Sequence, residues 1–457
     1  MDTLLRDLAP AEPGLIRNVP YDDLVVGQTA TVTRTVTSAD LALVAAVLGD
    51  GRAGSPGYGL FGASLVAAAI ANALPGPGTV CVHNALTFSG AIAAGETVRV
   101  TVGVVEKRAG NRVLLECAVA TAAGATVVSG PVEVIAPTEA ISRPLATPEF
   151  QLLNHAGHDA LLAKCHGLEP VTTAVAYPCD EVSLRGAVEA ARAGLIEPIL
   201  VGPEEKIRAI AARFGLDIGA FRLVPAENEQ DAAARAVAQV RDGAAKALMK
   251  GCLHSDTLLA EVVRRDTGLR AGRKISHVFV MHPPGRETPL LVTDAAVMMY
   301  PTLEEKVDIT QNAIDLAHAL GMAEPRVAVL SAVETVNPKI PSTLDAAALS
   351  TMAARGQIRG AIVDGPLAFD NAVDPEAARI KGIRSEVAGR ADILVVPNFE
   401  AGNMVAKELS KLAHADAAGI VLGARCPIIL TSRSDDERSR VASCAVALLV
   451  ARANAKA

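Results

Sequence analysis

The chain has 457 residues, half of them hydrophobic, yet only 3% are aromatic and Trp is absent. Its apolar mass is therefore Ala, Val, Leu and Ile, the composition of helices packed on buried parallel sheets, and the length implies roughly two to four domains. A net charge of −7, with acids and bases interspersed, excludes the basic face of a nucleic-acid-binding protein.

The start, "MDTLLRDLAPAEPG", has neither a basic n-region nor an apolar h-region, so no secretory signal is expected. "QTATVTRTVT" (28–37), "ETVRVTVGVVEK" (96–107) and "NRVLLECAVAT" (111–121) alternate with strand period between Gly-bearing turns. One helical run, "LFGASLVAAAIANAL" (60–74), sits among them, apolar nearly all round and so expected to be buried. The pattern predicts a sheet wrapped around a helix. "IAPTEAISRPLATPEF" (135–150) is Pro-rich with no apolar period and predicts a linker, 138–150, closing a first domain of residues 1–137.

From 151 to 457 the rhythm becomes βα alternation. "TTAVAYP", "PILVG", "ALMKG", "HVFVM", "PLLVTD", "RVAVLS", "GAIVDGP", "DILVVP", "GIVLG" and "PIILTSR" read as strands between Ala-rich helices. This predicts a mostly parallel, doubly wound α/β architecture. About ten strands is many for one open sheet, so two subdomains with a cleft are expected. No apolar stretch reaches the length of a membrane span. The seven cysteines are odd in number and never spaced C-x-x-C, which predicts reduced cytoplasmic thiols and neither disulfides nor metal ligands.

Ligands of open α/β folds gather at strand ends. There the sequence places Lys250, His254 and Ser255; Thr293 and Asp294; Ser331; Asp364 and Asp370; Asn398 and Asn403; and Thr431, Ser432 and Arg433. Helix capping accounts for any one hydroxyl or acid among them. It does not call for Lys250 or Arg433. No nucleotide-binding glycine loop follows a strand, no His/Cys cluster has metal spacing, and no G-x-S-x-G elbow occurs. Hydroxyls and fixed cations suit an inorganic anion, since Arg grips phosphate through a planar fork and Lys adds a point charge.

Over roughly residues 150–455 the chain resembles the phosphate acetyl/butyryltransferases. The resemblance rests on "DGPLAFDNAVDPEAARIKGIRSEVAGRADILVVPNFEAGNMVAKEL" (364–409), "LMKGCLHSDTLLAEVVRRDTGLRAGRKISHVFVM" (248–281) and "VTDAAVMMYPTLEEK" (292–306). It implies two α/β subdomains dividing near 295–325, a C-terminal helix returning to the first, and a homodimer or higher homo-oligomer. It also implies exchange of acyl-CoA and inorganic phosphate for acyl phosphate and CoA, with no metal and no resident cofactor, CoA thioester being substrate. On this likeness Ser432 and Arg433 contact phosphate or the oxyanion, and Asp435 is the candidate base. Lys250, His254, Ser255, Arg273, Ser331, Asp370 and Asn403 are candidate phosphate or CoA contacts. The chain departs from the acetyl type at Glu261, where an arginine is expected, and at Ser439, where the acid is expected; a butyryl-type register puts Asp435 in that role. Arg438 and Arg440, beyond the helix cap, are expected to face solvent.

Residues 20–137 resemble MaoC-like (R)-specific enoyl-CoA hydratases, which have an α+β hot-dog fold, through "VVGQTATVTRTVTSADLALVAAVLGD", "ANALPGPGTV" and "LTFSGAIAAGETVRVTVGVVEKR". In the G-D-x-N-P-x-H motif of that family Asp and His act on water. Here "GDGRAGSPGYG" keeps Asp50 but has Ser55 at the His position, so half of the acid/base pair is missing. The expectation is a degenerate domain kept for oligomerisation, acyl-CoA binding or regulation. Three alternatives stand beside a phosphate acetyltransferase: a butyryltransferase, a non-catalytic acyl-CoA sensor, and a bifunctional hydratase/transferase.

Overall fold

The computed structural model describes residues 15–49, 56–145, 155–286, 288–431 and 435–455. The chain divides into two compact units, Met1–Leu152 and Leu153–Ala457.

In the first unit an antiparallel sheet runs in the order Thr29–Thr35, Thr97–Arg108, Arg112–Thr121, Thr126–Ile135, Val80–Asn84, with Thr87–Phe88 also paired to Thr126–Ile135. Alternate valines of one strand, Val98, Val100, Val102 and Val104, are buried beneath the helix Pro56–Asn72. That helix contributes Phe61, Leu65, Val66, Ala69 and Ile70 to the same core. Gly62 lets it approach the sheet, because a Cβ there would lie 2.4 Å from Val128 Cγ2. This is the hot-dog arrangement. The helix is not buried all round: Leu60, Ala67 and Ala68 are exposed, since one face suffices to fill the curve of the sheet. A second helix, Ser38–Leu48, was not anticipated; its signal is the capping box of Thr37 and Asp40. Part of the expected linker is ordered too, as Ser142–Pro144 pairs antiparallel with Leu15–Arg17. His83 lies on an exposed strand. Asp50 and Ser55 lie outside the described residues.

The second unit is built on an eleven-stranded sheet. One half carries Arg222–Pro225, Ile196–Gly202, Val171–Ala176, Ala247–Lys250 and Ile428–Ile429, mutually parallel. The other carries Leu290–Thr293, Ile393–Val395, Arg326–Leu330 and Ile362–Leu367, also mutually parallel. Between them lie Asp416–Leu422 and Ser276–His282, each antiparallel to both of its neighbours. These successive reversals make the two halves run in opposite directions, so their carboxyl ends point to opposite edges.

The cores show where the halves part. Alternate residues of Val171–Ala176 enter separate cores, Val171 and Val175 on one face and Ala174 and Ala176 on the other. The first face carries one core spanning both halves, from Val175 through Val278 to Val329. The second face is divided: one cluster holds Leu258, Val262 and Leu430, another Leu330, Leu394 and Val396. The long helix Glu437–Asn454 returns to the first half and feeds the continuous core through Val441, Ala445 and Leu448. A ligand-sized gap therefore belongs on the face where the core is split.

Candidate active site

Such a gap is present, a cavity of ≈ 230 Å³ lined by Ser255, His277, Phe279, Asn403, Thr431 and Asp435 among others. The helix Ser255–Val262 of one half and the helix Phe399–Lys411 of the other wall it. It shares Ser410, Lys411 and Asp435 with a polar cavity of ≈ 330 Å³ that reaches His155, His414 and Asp416, so the two form one groove.

Each wall is held locally. Asn398 caps Phe399–Lys411 by accepting the Ala401 N–H. Gly402 brings that helix against the loop after Thr293, because a Cβ there would lie 2.8 Å from Asp294 O. Asn403, next along, donates from Nδ2 to Ala295 O at 3.3 Å. The same loop is knotted on the Asp294 carboxylate, which accepts the N–H groups of Ala296 and Val297 on Oδ1 and of Met298 on Oδ2. Burial raises the Asp294 pKa to about 6 despite those bonds. On the groove floor His277 is fully buried, and burial lowers its pKa to about 4, so the ring is neutral at physiological pH. Its Nδ1 has no hydrogen-bond partner within the described residues. Lys407 and Lys411, one turn apart and exposed, bring two cations to a groove that Asp416, Asp435 and Asp436 also line.

The structure gathers Ser255, Asn403 and Asp435 of the expected residues into the groove. His254 stands just before Ser255 at the helix N-cap position, exposed and making no side-chain cap. Lys250 ends its strand almost buried, its ammonium within 3.4 Å of Leu253 O. Ser432 and Arg433 lie outside the described residues, although Thr431 and Asp435 on either side line the groove. Three residues are placed elsewhere. Arg273 precedes the strand Ser276–His282 at the edge away from Lys250, paired with Asp315 in a separate cavity of ≈ 370 Å³. Ser331 ends a strand of the opposed half and bonds Ser342 through its hydroxyl at 2.8 Å. Asp370 is exposed there and paired with Lys381. For Ser331 and Asp370 the reason is the reversal of strand direction between halves, whereas Arg273 stands at the amino end of a strand that runs with the Lys250 half.

Arg440 corrects another expectation. It does not face solvent; it is 4% exposed, and its Nη1 donates to Thr431 Oγ1 at 2.8 Å. Arg438 is exposed as expected. The sequence reading also missed His277, Lys407 and Lys411. A histidine inside the apolar strand "HVFVM" and two lysines four apart were the available signals.

The second unit is thus an α/β protein with a polar groove at the split in its core, lined by two lysines, by hydroxyls and by acids. The family model described as "Phosphate acetyl/butaryl transferase" matches residues 226–448. The chain is 61% identical over 294 residues to a phosphate acetyltransferase of Rhizobium meliloti, covering 64% of this chain and 93% of that protein. A branched-chain phosphotransacylase from Enterococcus faecalis V583 superposes with a TM-score of 0.55 at 30% identity, covering 62% of this chain and 99% of that one. At the other end, an R-hydratase from Pseudomonas aeruginosa matches 30% of this chain and 99% of its own at 35% identity, with a TM-score of 0.29. The chain belongs to the phosphate acetyl/butyryltransferase family.

Proposed function

We propose that the chain transfers a short acyl group between CoA and inorganic phosphate, with acetyl-CoA as the first substrate to test. The observation that carries this is the groove at the split in the core, where Ser255, Asn403, Thr431 and Asp435 meet beside Lys407 and Lys411. A phosphate oxygen attacks the thioester carbonyl carbon, forming a C–O bond. The tetrahedral oxyanion collapses, the C–S bond breaks, and CoA leaves as thiolate and takes up a proton. No enzyme nucleophile is required. The protein's work is approximation and stabilisation of the oxyanion by pre-placed donors. Asp435 is the acid that takes a proton from the attacking group. Ser432 and Arg433 are assigned to phosphate or oxyanion on their resemblance to the family pattern. Lys407 and Lys411 attract the phosphates of CoA, which enters as substrate and not as a resident cofactor.

No described helix is long and apolar enough to cross a membrane. The seven cysteines are all unpaired, which supports a reducing, cytoplasmic setting. We further infer a homodimer or higher homo-oligomer, on the resemblance alone. The first unit holds its own mostly apolar cavity of ≈ 680 Å³ beside Leu65, Val100 and Arg143. That favours a retained acyl-binding role over hydration, since Ser55 lacks a histidine's basicity.

The test is thiol release from acetyl-, propionyl- and butyryl-CoA with and without phosphate, on the full chain. Release is expected only with phosphate, and the ranking of the three assigns chain length. Release indifferent to phosphate, or absent with all three, overturns the reading. In the same preparation crotonyl-CoA is expected to remain unhydrated; hydration would restore the bifunctional alternative.

A further inference from the structure

We propose that Arg440 is a positioning residue for the transfer, a buried guanidinium behind the groove wall that holds Thr431 and faces Asp435. The proposal rests on the acyltransferase reading of the groove.

Arg440 lies in the first turn of Glu437–Asn454, followed by Val441 and Ala442 and then by Cys444 and Ala445, all buried. Packing this helix asks for no cation at that position, and a buried charge is costly unless it is engaged. Its engagement points to the groove. Nη1 donates to the hydroxyl of Thr431, the last described residue of the strand end, at 2.8 Å, and Thr431 is itself 2% exposed. Asp435 and Asp180 are the foremost charges that face the guanidinium, followed by the Cys444 thiol and Asp436. Asp180 in turn caps the helix Glu181–Arg192 by accepting the Ser183 N–H at 2.8 Å. That helix makes room for the arginine: a Cβ on Gly186 would sit 3.0 Å from Arg440 Cδ. The guanidinium thus bonds the strand end and acts electrostatically on the acid beyond it, while its stem packs against the neighbouring helix. Thr431 and Asp435 line the groove, whereas Arg440 does not, so it acts through them.

Two consequences separate positioning from bulk stability. First, the fixed strand end should matter for the chemical step more than for capture of substrate. Second, a buried cation facing Asp435 favours its carboxylate form, the form a base requires. Lys411, His155, His414, Asp416 and Asp436 share the space around Asp435 and remain unchanged in the variants.

The experiment compares wild type with Arg440→Gln, Arg440→Lys and Gly186→Ala in the full chain. It measures kcat, KM for acyl-CoA, the pH profile of kcat/KM and melting temperature. Arg440→Gln is expected to lower kcat about ten- to a hundredfold with KM changed less than about threefold. The acidic limb of its profile should move to higher pH. Arg440→Lys should keep the limb in place and recover part of kcat, since charge survives but the fork does not. Gly186→Ala, which displaces the stem by a few tenths of an ångström without touching the groove, should lower kcat about threefold or more at near-normal melting temperature. If Arg440→Gln does not fold, the lysine and Gly186 variants decide alone. The proposal is overturned if the limb stays put in Arg440→Gln, if lysine rescues nothing, or if all losses track the folded fraction. Wild type without phosphate-dependent release would instead overturn the acyltransferase reading; active wild type with indifferent variants overturns only this inference.

Discussion

Replacing Asp294 by Asn should change how the stability of the groove loop depends on pH. The folded carboxyl titrates near 6 against an ordinary value of 3.8, because burial penalises its charge more than its backbone hydrogen bonds compensate. The unfolded chain therefore releases this proton first. The contribution to stability is fully present below about 3.8 and is lost as pH rises through 6. A gap of about two units, at roughly 1.36 kcal/mol per unit, makes the ionised carboxylate cost on the order of 3 kcal/mol above pH 7. In Asp294→Asn the amide oxygen keeps the Ala296 and Val297 N–H bonds, while its NH₂ meets the Met298 N–H and costs about 1–3 kcal/mol. At pH 8 variant and wild type should thus be similar, and at pH 4.5 the wild type should lead by about 2 kcal/mol. The assay is amide hydrogen exchange of a peptide spanning 290–303, variant against wild type at each pH, so that intrinsic rates cancel. The ratio of protection should change roughly thirtyfold across that range. Parallel protection in the two proteins would refute the account of Asp294 as a buried, reluctantly ionised knot.

Arg433→Ala is expected to lower kcat/KM for phosphate about ten- to a hundredfold, by removing charge-assisted hydrogen bonds, while exposed Arg438→Ala stays within about twofold of wild type; equal effects at both positions would return Arg433 to the solvated surface. Lys407→Ala and Lys411→Ala should each raise KM for acyl-CoA about three- to tenfold with kcat little changed, and the penalty should shrink as salt is raised. A penalty indifferent to ionic strength would mean that these lysines do not steer the CoA phosphates.

The elements of the second unit were legible because strands buried on both faces are continuous apolar runs, and "ALMKG", "HVFVM" and "DILVVP" all contain strands. The short strand Arg222–Pro225 was missed, being an edge strand with exposed ends. Strand direction was not legible. Ser276–His282 looks like its neighbours, yet it runs antiparallel to both, and that decides whether Ser331 and Asp370 stand with Lys250 or across the sheet from it. Burial of single polar residues was equally hidden. Arg440 and Arg438 are two apart on one helix, so they face different ways; only the packing against Gly186 says which one is inside.

Helix capping and groove lining fall on adjacent acids at 435–436. Asp436 caps the helix Glu437–Asn454, accepting the Ser439 N–H at 2.8 Å, and although burial opposes it the bonds from Ser439 hold its pKa below the ordinary carboxylate value. The Ser439 carbonyl accepts the Ser443 hydroxyl at 2.6 Å, so its backbone serves the first turn of the helix. A serine there cannot replace a base, whatever register places it opposite the acid of the acetyl type. Asp435, one residue before the cap, is the acid that lines both parts of the groove. Asp436 caps the helix and borders only the polar part of the groove, whereas Asp435 lines both parts; both lie within the field of Arg440. Asp435 is therefore kept as the proposed base, since the neighbouring Asp436 caps the helix. Asp435→Asn should then remove most of kcat and leave the melting temperature nearly unchanged, whereas Asp436→Asn, still a competent cap, should do neither. Loss of kcat at 436 with 435 silent would move the base to the cap and reverse this assignment.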